Sequence, residues 1–490
     1  MLTVALTLGI VSIWPANASA VGGRSNERQA DTDSDTGGPL LYAYNKQNPR
    51  PYAPPAPTPL KPGKSLRRPP GALAHRRQHR TTSLMLNQQV LASLVGLLAL
   101  IVGAQWVAAT LHFPVTLLVV ALGVLAGPAT NLINLDALFG DLLLPLVALA
   151  LAVTLFEDSL RVRFADLRSA RTQLVSSITV GLLVACGIGA AAGHLLLNLP
   201  LPVALLLGAA VTIAAPRRDA PPTDADERGL GNALRREAVL LELSGSVLVV
   251  LVFQGVLFGT APYPQDALLV VINTVWIGGV AGLVGAAVTG VLLAKDRVPD
   301  FLQRALTLTL LLVVFMFTEL LQASAGFIAV IAMGLTLANW KPHNAQPSTM
   351  APAGLSTALL AILATRLQPA DLEQFDAASL AFLAVVTLLA RPLAVGLCTL
   401  RTGWSWSERA RFACLAPRGA VAAALATIYA LRLGEVGMPH AGEVVPLTLL
   451  VVFGTCALDA VAAQFLERAA PPAVVASPQR PVASRGEIGL

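Results

Sequence analysis

From Met85 onward, the chain is a series of apolar runs separated by short polar or charged loops. Many of the runs reach roughly 20 residues, the length that an α-helix needs to cross the hydrocarbon core of a bilayer. Backbone polar groups must be satisfied within the membrane, so such runs indicate α-helices. The predicted fold class is an all-α polytopic membrane protein with about 13 transmembrane helices. The predicted spans are 88–110, 114–130, 141–160, 173–195, 200–216, 237–259, 266–294, 301–322, 324–340, 352–366, 376–400, 407–432 and 443–466.

Composition supports this interpretation and excludes other classes. Of the 490 residues, 55% are hydrophobic and only 13% are charged, which is too little polar surface for a soluble protein of this length. The formal net charge of +6 fits basic cytoplasmic loops, so no nucleic-acid partner is expected. The sequence holds no phosphate loop, zinc-protease motif or nucleophile elbow, and we predict neither an enzyme nor a bound cofactor. Four cysteines lie in apolar segments without metal-ligand spacing and are predicted to be core residues: Cys186, Cys398, Cys414 and Cys456.

The two ends of the chain differ from its centre. Residues 1–84 are rich in Pro, Gly, Ser and Arg and are predicted to be a disordered extension, of which the first 20 residues resemble a weak signal peptide. A translation start at Met85 is an alternative hypothesis, which a peptide from the extension in a mass spectrum would exclude. We predict a membrane domain at 85–468 and a short cytoplasmic tail at 469–490.

Basic residues are distributed unevenly among the loops. Loops that follow odd-numbered spans carry most of them, for example Arg161 and Arg163, or Arg235 and Arg236. Loops that follow even-numbered spans are poor in Lys and Arg. Because positive loops remain in the cytoplasm, the N-terminus is predicted outside and the C-terminus in the cytoplasm. A wrong span count would disturb this alternation, so the charge pattern also favours thirteen.

The number of spans suggests an internal repeat. Spans one to six can match spans eight to thirteen, and an offset of seven inverts the second half relative to the first. Transporters built in this way bind ions near the midplane, where matching helices are broken. Span five ends at Pro216, and span twelve holds Pro417, Arg418 and Gly419 at the corresponding position, so we predict a pair of crossed broken helices. The alternative is that Pro216 only ends span five.

Span six carries two carboxylates, which are expensive inside hydrocarbon. Glu237 and Glu242 are five residues apart and therefore about 140° apart around the helix, so they need different partners. Arg391 lies in the middle of span eleven and needs a carboxylate, for which Glu237 is a candidate. Glu242 would then be available to bind either a proton or a cation. The alternative is that Glu242 is itself locked in a structural pair, with Arg391 as one candidate partner.

Other charged residues have less distinctive settings. Glu157 and Asp158 close span three, where either a site role or a solvated interfacial cluster fits. Glu319 lies near the outer end of span eight, which favours a role at a mouth or in the structure. Asp459, in span thirteen, has apolar neighbours and is interpreted as a hydrogen-bonded core residue.

Several segments resemble the bacterial Na⁺/H⁺ exchangers of the monovalent cation:proton antiporter superfamily, in particular their thirteen-helix branch. The likeness extends from about Met85 to Arg468. The most specific segment is Ala416-Pro417-Arg418-Gly419-Ala420 in span twelve. The others, in chain order, are Leu155-Phe156-Glu157-Asp158-Ser159-Leu160, the Glu237 and Glu242 pair with Leu251-Val252-Phe253, Glu319 with Ala325-Gly326, Leu337-Ala338-Asn339, Leu389-Ala390-Arg391-Pro392-Leu393, Val445-Pro446-Leu447-Thr448 and Phe453-Gly454-Thr455.

The resemblance implies a function and roles for residues. It implies a secondary transporter that exchanges a monovalent cation, Na⁺ or K⁺, for protons across the bacterial inner membrane by alternating access, as a homodimer in the lipid bilayer. It implies that Glu237 pairs with Arg391 and that Glu242 binds the ion and the proton, with Glu157 and Thr212 as further candidate ligands. Relatives that carry a C-terminal nucleotide-binding regulatory domain have more sequence after span thirteen than this chain does.

The sequence also departs from the family pattern. The break in span five reads Ala214-Ala215-Pro216, where the family has a threonine and often an aspartate, and Thr212 lies two residues too early. The usual ion-binding aspartate is replaced by Glu242. The alternative function is therefore a non-transporting structural or regulatory homologue with a degenerate ion site.

Overall fold

A computed structural model describes residues 71–111, 113–130, 133, 135, 139–165, 171–216, 230–259, 264–293, 298–340, 354–373, 375–399, 406, 409 and 417–469. These residues belong to one compact unit, Pro70–Leu490. The predicted signal peptide, most of the predicted extension and all but the first residue of the predicted tail lie outside the described residues.

The described chain is helical. The first half comprises α1 (Gly71–Leu111), α2 (Val115–Val124, continued by a π-turn at Leu125–Ala129), α3 (Leu143–Leu160, after a 3-10 turn at Gly140–Leu142), α4 (Arg171–Ser176 and Leu182–Leu196, joined by a π-turn at Ser177–Gly181), α5 (Leu201–Ala210) and α6 (Leu230–Gly259). The second half comprises α7 (Pro264–Leu293), α8 (Asp300–Leu321), α9 (Ala325–Asn339), α10 (Gly354–Thr365), α11 (Ala377–Val385 and Arg391–Cys398, joined by a π-turn at Val386–Ala390), α12 (Ala420–Glu435) and α13 (Val444–Ala469, after a 3-10 turn at Ala441–Glu443). A short helix, Pro369–Glu373, precedes α11.

Each predicted span overlaps one of these helices, and the all-helical fold class is confirmed. By length and composition, eight helices in the described part of the chain could each cross a membrane, and four further apolar helices are shorter. The count of thirteen crossings therefore stays a prediction. The structure differs at residues 71–84, which begin α1 although they fall within the predicted disordered extension. After Gly71 this stretch has neither glycine nor proline, so nothing in it interrupts a helix.

The helices are divided into two groups by the predicted repeat: the first group is α4, α5, α6, α11, α12 and α13, and the second is α1, α2, α3, α7, α8, α9 and α10. The two groups pack against each other, for example through α6 with α7 and through α10 with α12. Within the first group, α4 packs against α5 and α11, and α12 packs against α13. The π-turns lie on α4 and α11, which are partners in the predicted offset of seven.

Close packing joins α3 and α9 in the second group. On α9, a Cβ added to Gly334 would lie 1.7 Å from Ser159 Oγ of α3, so these helices touch through the glycine. At the end of α9, Asn339 Nδ2 donates to the Val162 carbonyl at 3.0 Å, and the Phe164 N–H donates to Asn339 Oδ1 at 2.7 Å. These contacts tie the ends of α3 and α9 together within the second group.

Candidate functional site

Two short non-helical segments lie against each other, one after α5 and one before α12. Helix α5 ends at Ala210, a turn follows, and the backbone leaves regular structure from Ile213 to Pro216. Before α12 begins at Ala420, the chain is also non-helical from Pro417 to Gly419. The Ala215 N–H donates to the Pro417 carbonyl at 2.7 Å, so the two broken segments cross in direct contact. This contact is the one that the predicted crossing requires, and the part of span twelve before Pro417 lies outside the described residues.

Glycine permits the close approach at this crossing. A Cβ added to Gly419 would lie 2.6 Å from the Ala215 Cβ, closer than real side chains approach. The crossing is fixed further by α13, because the Arg418 N–H donates to Thr455 Oγ1 at 3.1 Å. The thiol of Cys456 donates to the Arg418 carbonyl at 3.4 Å. The prolines supply no N–H, so the broken segments rely on these contacts between helices.

Charged groups gather beside the crossing. Glu237, near the start of α6, is buried, and its Oε1 lies 3.9 Å from Arg391 Nη2. This distance allows a strong charge interaction but is too long for a direct hydrogen bond. Arg391 begins the second segment of α11, immediately after the π-turn, a feature that is frequent at functional sites.

A cavity lies between α4, α5, α6, α11 and the start of α12. In the described part of the chain, its polar lining comprises one carboxylate, two guanidinium groups and two hydroxyl groups. The remaining lining is apolar or carries a thiol. The residues that line it are Ser177, Gly181, Leu182, Ala185, Thr212, Glu237, Leu241, Arg391, Ala394, Val395, Cys398 and Arg418.

The two glutamates of α6 have different surroundings. Glu237 lines the cavity, whereas Glu242 is buried and is absent from the described residues that line it. Glu242 nevertheless lies on the side of α6 that meets the break in α5. One turn further along, a Cβ added to Gly245 would lie 2.9 Å from Ile213 Cγ1 and 3.3 Å from its Cα. Residues 242 and 245 share a helix face.

The other predicted ligands are separated. Thr212 lines the cavity, and its Oγ1 donates to the Ala209 carbonyl at 2.6 Å. Glu157 is buried on α3, in the second helix group, and is not among the described cavity residues. Its neighbour Asp158 lies 3.3 Å from the half-exposed Arg161. The ligand roles of Thr212, Glu157 and Glu242 remain predictions.

Sequence reasoning missed two features of this region. The sequence pattern places Arg418 at the helix break, and its buried side chain also lines the cavity together with Arg391. Ser177 joins them because the π-turn in α4 carries it there. The signal for Arg418 is its charge in an apolar segment. A charged side chain there needs a polar partner, whether or not the backbone around it is helical. Ser177 had no comparable signal.

Comparisons with known proteins agree with this architecture. A family model described as "Sodium/hydrogen exchanger, transmembrane" matches residues 96–466. Two solved structures of the sodium proton antiporter MjNhaP1 from Methanocaldococcus jannaschii have the same fold. For the structure at pH 8, the TM-score is 0.63 and the sequence identity is 21%. The match covers 77% of this chain and 99% of the MjNhaP1 chain. For the electron-microscopy structure, the TM-score is 0.57 and the sequence identity is 21%. The match covers 79% of this chain and 99% of the MjNhaP1 chain.

The family match spans most of the chain, including both broken helices, α6 with its two glutamates and α11 with its arginine. The chain therefore belongs to the sodium/hydrogen exchanger family.

Proposed function

We propose that this protein exchanges a monovalent cation for protons across a membrane by alternating access, with Glu242 as the shared binding group. The observation that carries the proposal is the crossing of the two broken segments beside a buried carboxylate–guanidinium pair. Broken helices of this kind present free carbonyl groups and helix ends to an ion at the midplane. Family membership supports the same reaction class.

Charge balance explains why a proton and a cation would compete. Among the described residues, the cavity is lined by one carboxylate, Glu237, and two guanidinium groups, Arg391 and Arg418, a formal charge of +1. A cation is repelled by that excess. Ionisation of Glu242 lowers the charge of this region by one unit relative to protonated Glu242. A cation is therefore favoured when Glu242 releases its proton, which would couple the two fluxes.

Replacing Glu242 tests the proposal. In everted membrane vesicles with a pH-sensitive dye, Glu242→Gln should abolish cation-dependent proton movement for Na⁺, K⁺ and Li⁺ alike. Glu242→Asp, which restores the acid usual in the family, should retain exchange. Glu435→Gln removes an exposed carboxylate at the end of α12 and is the matched control, with no expected effect. Exchange that survives Glu242→Gln would show that another group carries the ions.

A second candidate function is a structural or regulatory membrane protein that does not transport ions. The observation in its favour is the composition of the break in α5, where Ala214 and Ala215 offer only methyl groups. The nearest hydroxyl, that of Thr212, is already bonded to the Ala209 carbonyl. Wild-type vesicles that show no exchange with any of the three cations across a range of pH would favour this candidate.

The proposal includes a setting for the protein. We propose a homodimer in the bacterial inner membrane, with the N-terminus outside and the C-terminus in the cytoplasm. The uneven distribution of basic residues among the loops supports this orientation. In the transport cycle, the group that contains α5 and α12 would move against the group that contains α3 and α9, which would also form the dimer contact.

A further inference from the structure

The two helix groups meet at the turn between α8 and α9. This turn lies far from the cavity: Glu237 and Gln254 are 17 residues apart on α6, about 25 Å along the helix. The cavity and the turn are therefore near opposite ends of the helix bundle.

An arginine bridges the groups at this turn. Arg432, in the last turn of α12, places its Nη2 3.0 Å from Glu319 Oε1, at the end of α8. Its Nη1 donates to Ser324 Oγ at 3.1 Å. The other oxygen of the glutamate, Oε2, accepts from the Gly326 N–H at 3.4 Å. The arginine of one group is thus held by two residues of the other, Glu319 in the last turn of α8 and Ser324 in the connection to α9.

The backbone of the connection is shaped for this contact. Ser324 has φ +69° and ψ −4°, a left-handed conformation that is uncommon for a residue with a side chain. It is buried, and its hydroxyl accepts from the arginine, so the contact occupies a strained position. Strained positions persist where surrounding contacts hold them, and here those contacts come from the opposite helix group.

Further contacts near Arg432 join the two helix groups. Gln254 Nε2 of α6 donates to the Ala323 carbonyl in the connection at 2.5 Å. The ring of Tyr429, one turn before Arg432, is 4.4 Å from the Phe253 ring in its own group and 6.4 Å from the Phe327 ring on α9. The Arg432 guanidinium lies 5.9 Å above the same tyrosine ring. The boundary is closed by charge, hydrogen bonds and aromatic packing together.

We propose that Glu319, Ser324 and Arg432 form a latch that closes the α8–α9 end of the protein. The latch holds the two helix groups together while the cavity lies towards the opposite end, and it opens when the α8–α9 end becomes accessible. The inference rests on the proposed exchange function, because only a protein that exposes its site alternately needs to open this end. Weakening the latch should raise the population of the opened state.

Accessibility of a reporter cysteine tests the latch. Leu433 is fully buried in this structure, adjoins Arg432 and lies one turn from Tyr429 on the same side of α12. Leu433→Cys would be introduced after replacement of the four native cysteines. Labelling by a membrane-impermeant maleimide would be measured with the reagent applied from each side separately. Arg432→Gln and Glu319→Gln should each raise the labelling rate from one side, by about fivefold.

The combined variant and a control make the test specific. Glu319→Gln with Arg432→Gln should label little faster than either single variant, because both changes remove one interaction. Glu443→Gln removes a different carboxylate contact, with His440 Nδ1 at 2.7 Å, that lies within the first helix group, and should leave the rate unchanged. Elution as a single species in size-exclusion chromatography would establish that each variant is folded.

Two results would overturn the latch. One is that folded single variants label no faster than the Leu433→Cys protein without them. The other is that the increase in labelling rate of the double variant equals the product of the two single increases. Labelling requires no cation gradient, so its outcome is separate from that of the transport assay. Faster labelling in variants of a protein that exchanges no ions would support the latch and reject the proposed function.

Discussion

At the scale of single residues, Arg391 depends on Glu237. Its side chain is only 12% exposed and that of Glu237 is 3% exposed, so water screens neither charge well. The net contribution of such a pair to stability is small, since both charges were removed from water to form it. The loss of one partner is costly, because it leaves the other buried and uncompensated.

We therefore predict that Arg391→Ala lowers the free energy of unfolding by roughly 3–5 kcal/mol. Glu237→Gln in the same chain should recover most of this loss, because it removes the stranded charge. Thermal unfolding of the purified protein in detergent would measure both effects. If the double variant is as unstable as Arg391→Ala, the loss comes from packing in α11 and not from the buried charge.

At the scale of helices, the crossing of the broken segments depends on the missing side chain of Gly419. An added Cβ would lie 2.6 Å from that of Ala215, and the backbone hydrogen bond from Ala215 to Pro417 leaves little room to shift. Overpacking at such contacts costs about 1–3 kcal/mol. The cost would fall on the arrangement beside the cavity, because the same segment carries Arg418.

Gly419→Ala should therefore reduce exchange strongly and lower the unfolding temperature by a few degrees. Gly434→Ala, near the end of the helix that Gly419 precedes, is the matched control, since a Cβ there meets no atom within 4 Å and alanine favours a helix more than glycine does. Exchange in vesicles and thermal unfolding in detergent would be measured for both variants. Equal effects of the two changes would contradict the proposed role of close packing at the crossing.

The helices also show what a sequence pattern can and cannot predict. Proline at 216 and 417 marks the breaks, because the ring removes a donor whatever the surroundings. The length of the apolar runs likewise places α6 and α11, although it does not reveal the π-turns. The contact of Arg432 with Glu319 joins residues 113 positions apart, and no local pattern records such a pairing. Sequence could assign Glu319 to a mouth but could not find its partner.

For the cavity, the sequence pattern predicts which types of residue are present better than it predicts which side chains face the cavity. The spacing predicts that Glu237 and Glu242 point in different directions from α6. In the structure, Glu237 is among the described residues that line the cavity and Glu242 is not. Which carboxylate faces the cavity depends on the rotation of α6 against α5 and α11. That rotation is set by tertiary contacts, such as Gly245 against Ile213, which periodicity does not encode.

At the scale of the whole molecule, the number of crossings determines the orientation of the two ends. Thirteen crossings place the ends of the membrane domain on opposite sides, whereas twelve would place them on the same side. Among the described helices, the shorter apolar ones decide the count: Val115–Gly127, Leu201–Ala210, Ala325–Asn339 and Gly354–Thr365. Helix α5 is helical for only ten residues, about 15 Å, and the extended segment up to Pro216 must complete its passage.

The loops on either side of these helices should therefore alternate in accessibility. A cysteine placed at Arg163, after α3, or at Arg236, before the buried part of α6, should react only with reagent on the cytoplasmic side. A cysteine placed at His440, between α12 and α13, should react only from outside. Labelling in right-side-out and inverted vesicles, in a background without native cysteines, would measure each position. If the first two positions react from opposite sides, then α4 and α5 do not both cross, and the inverted repeat built on them is wrong.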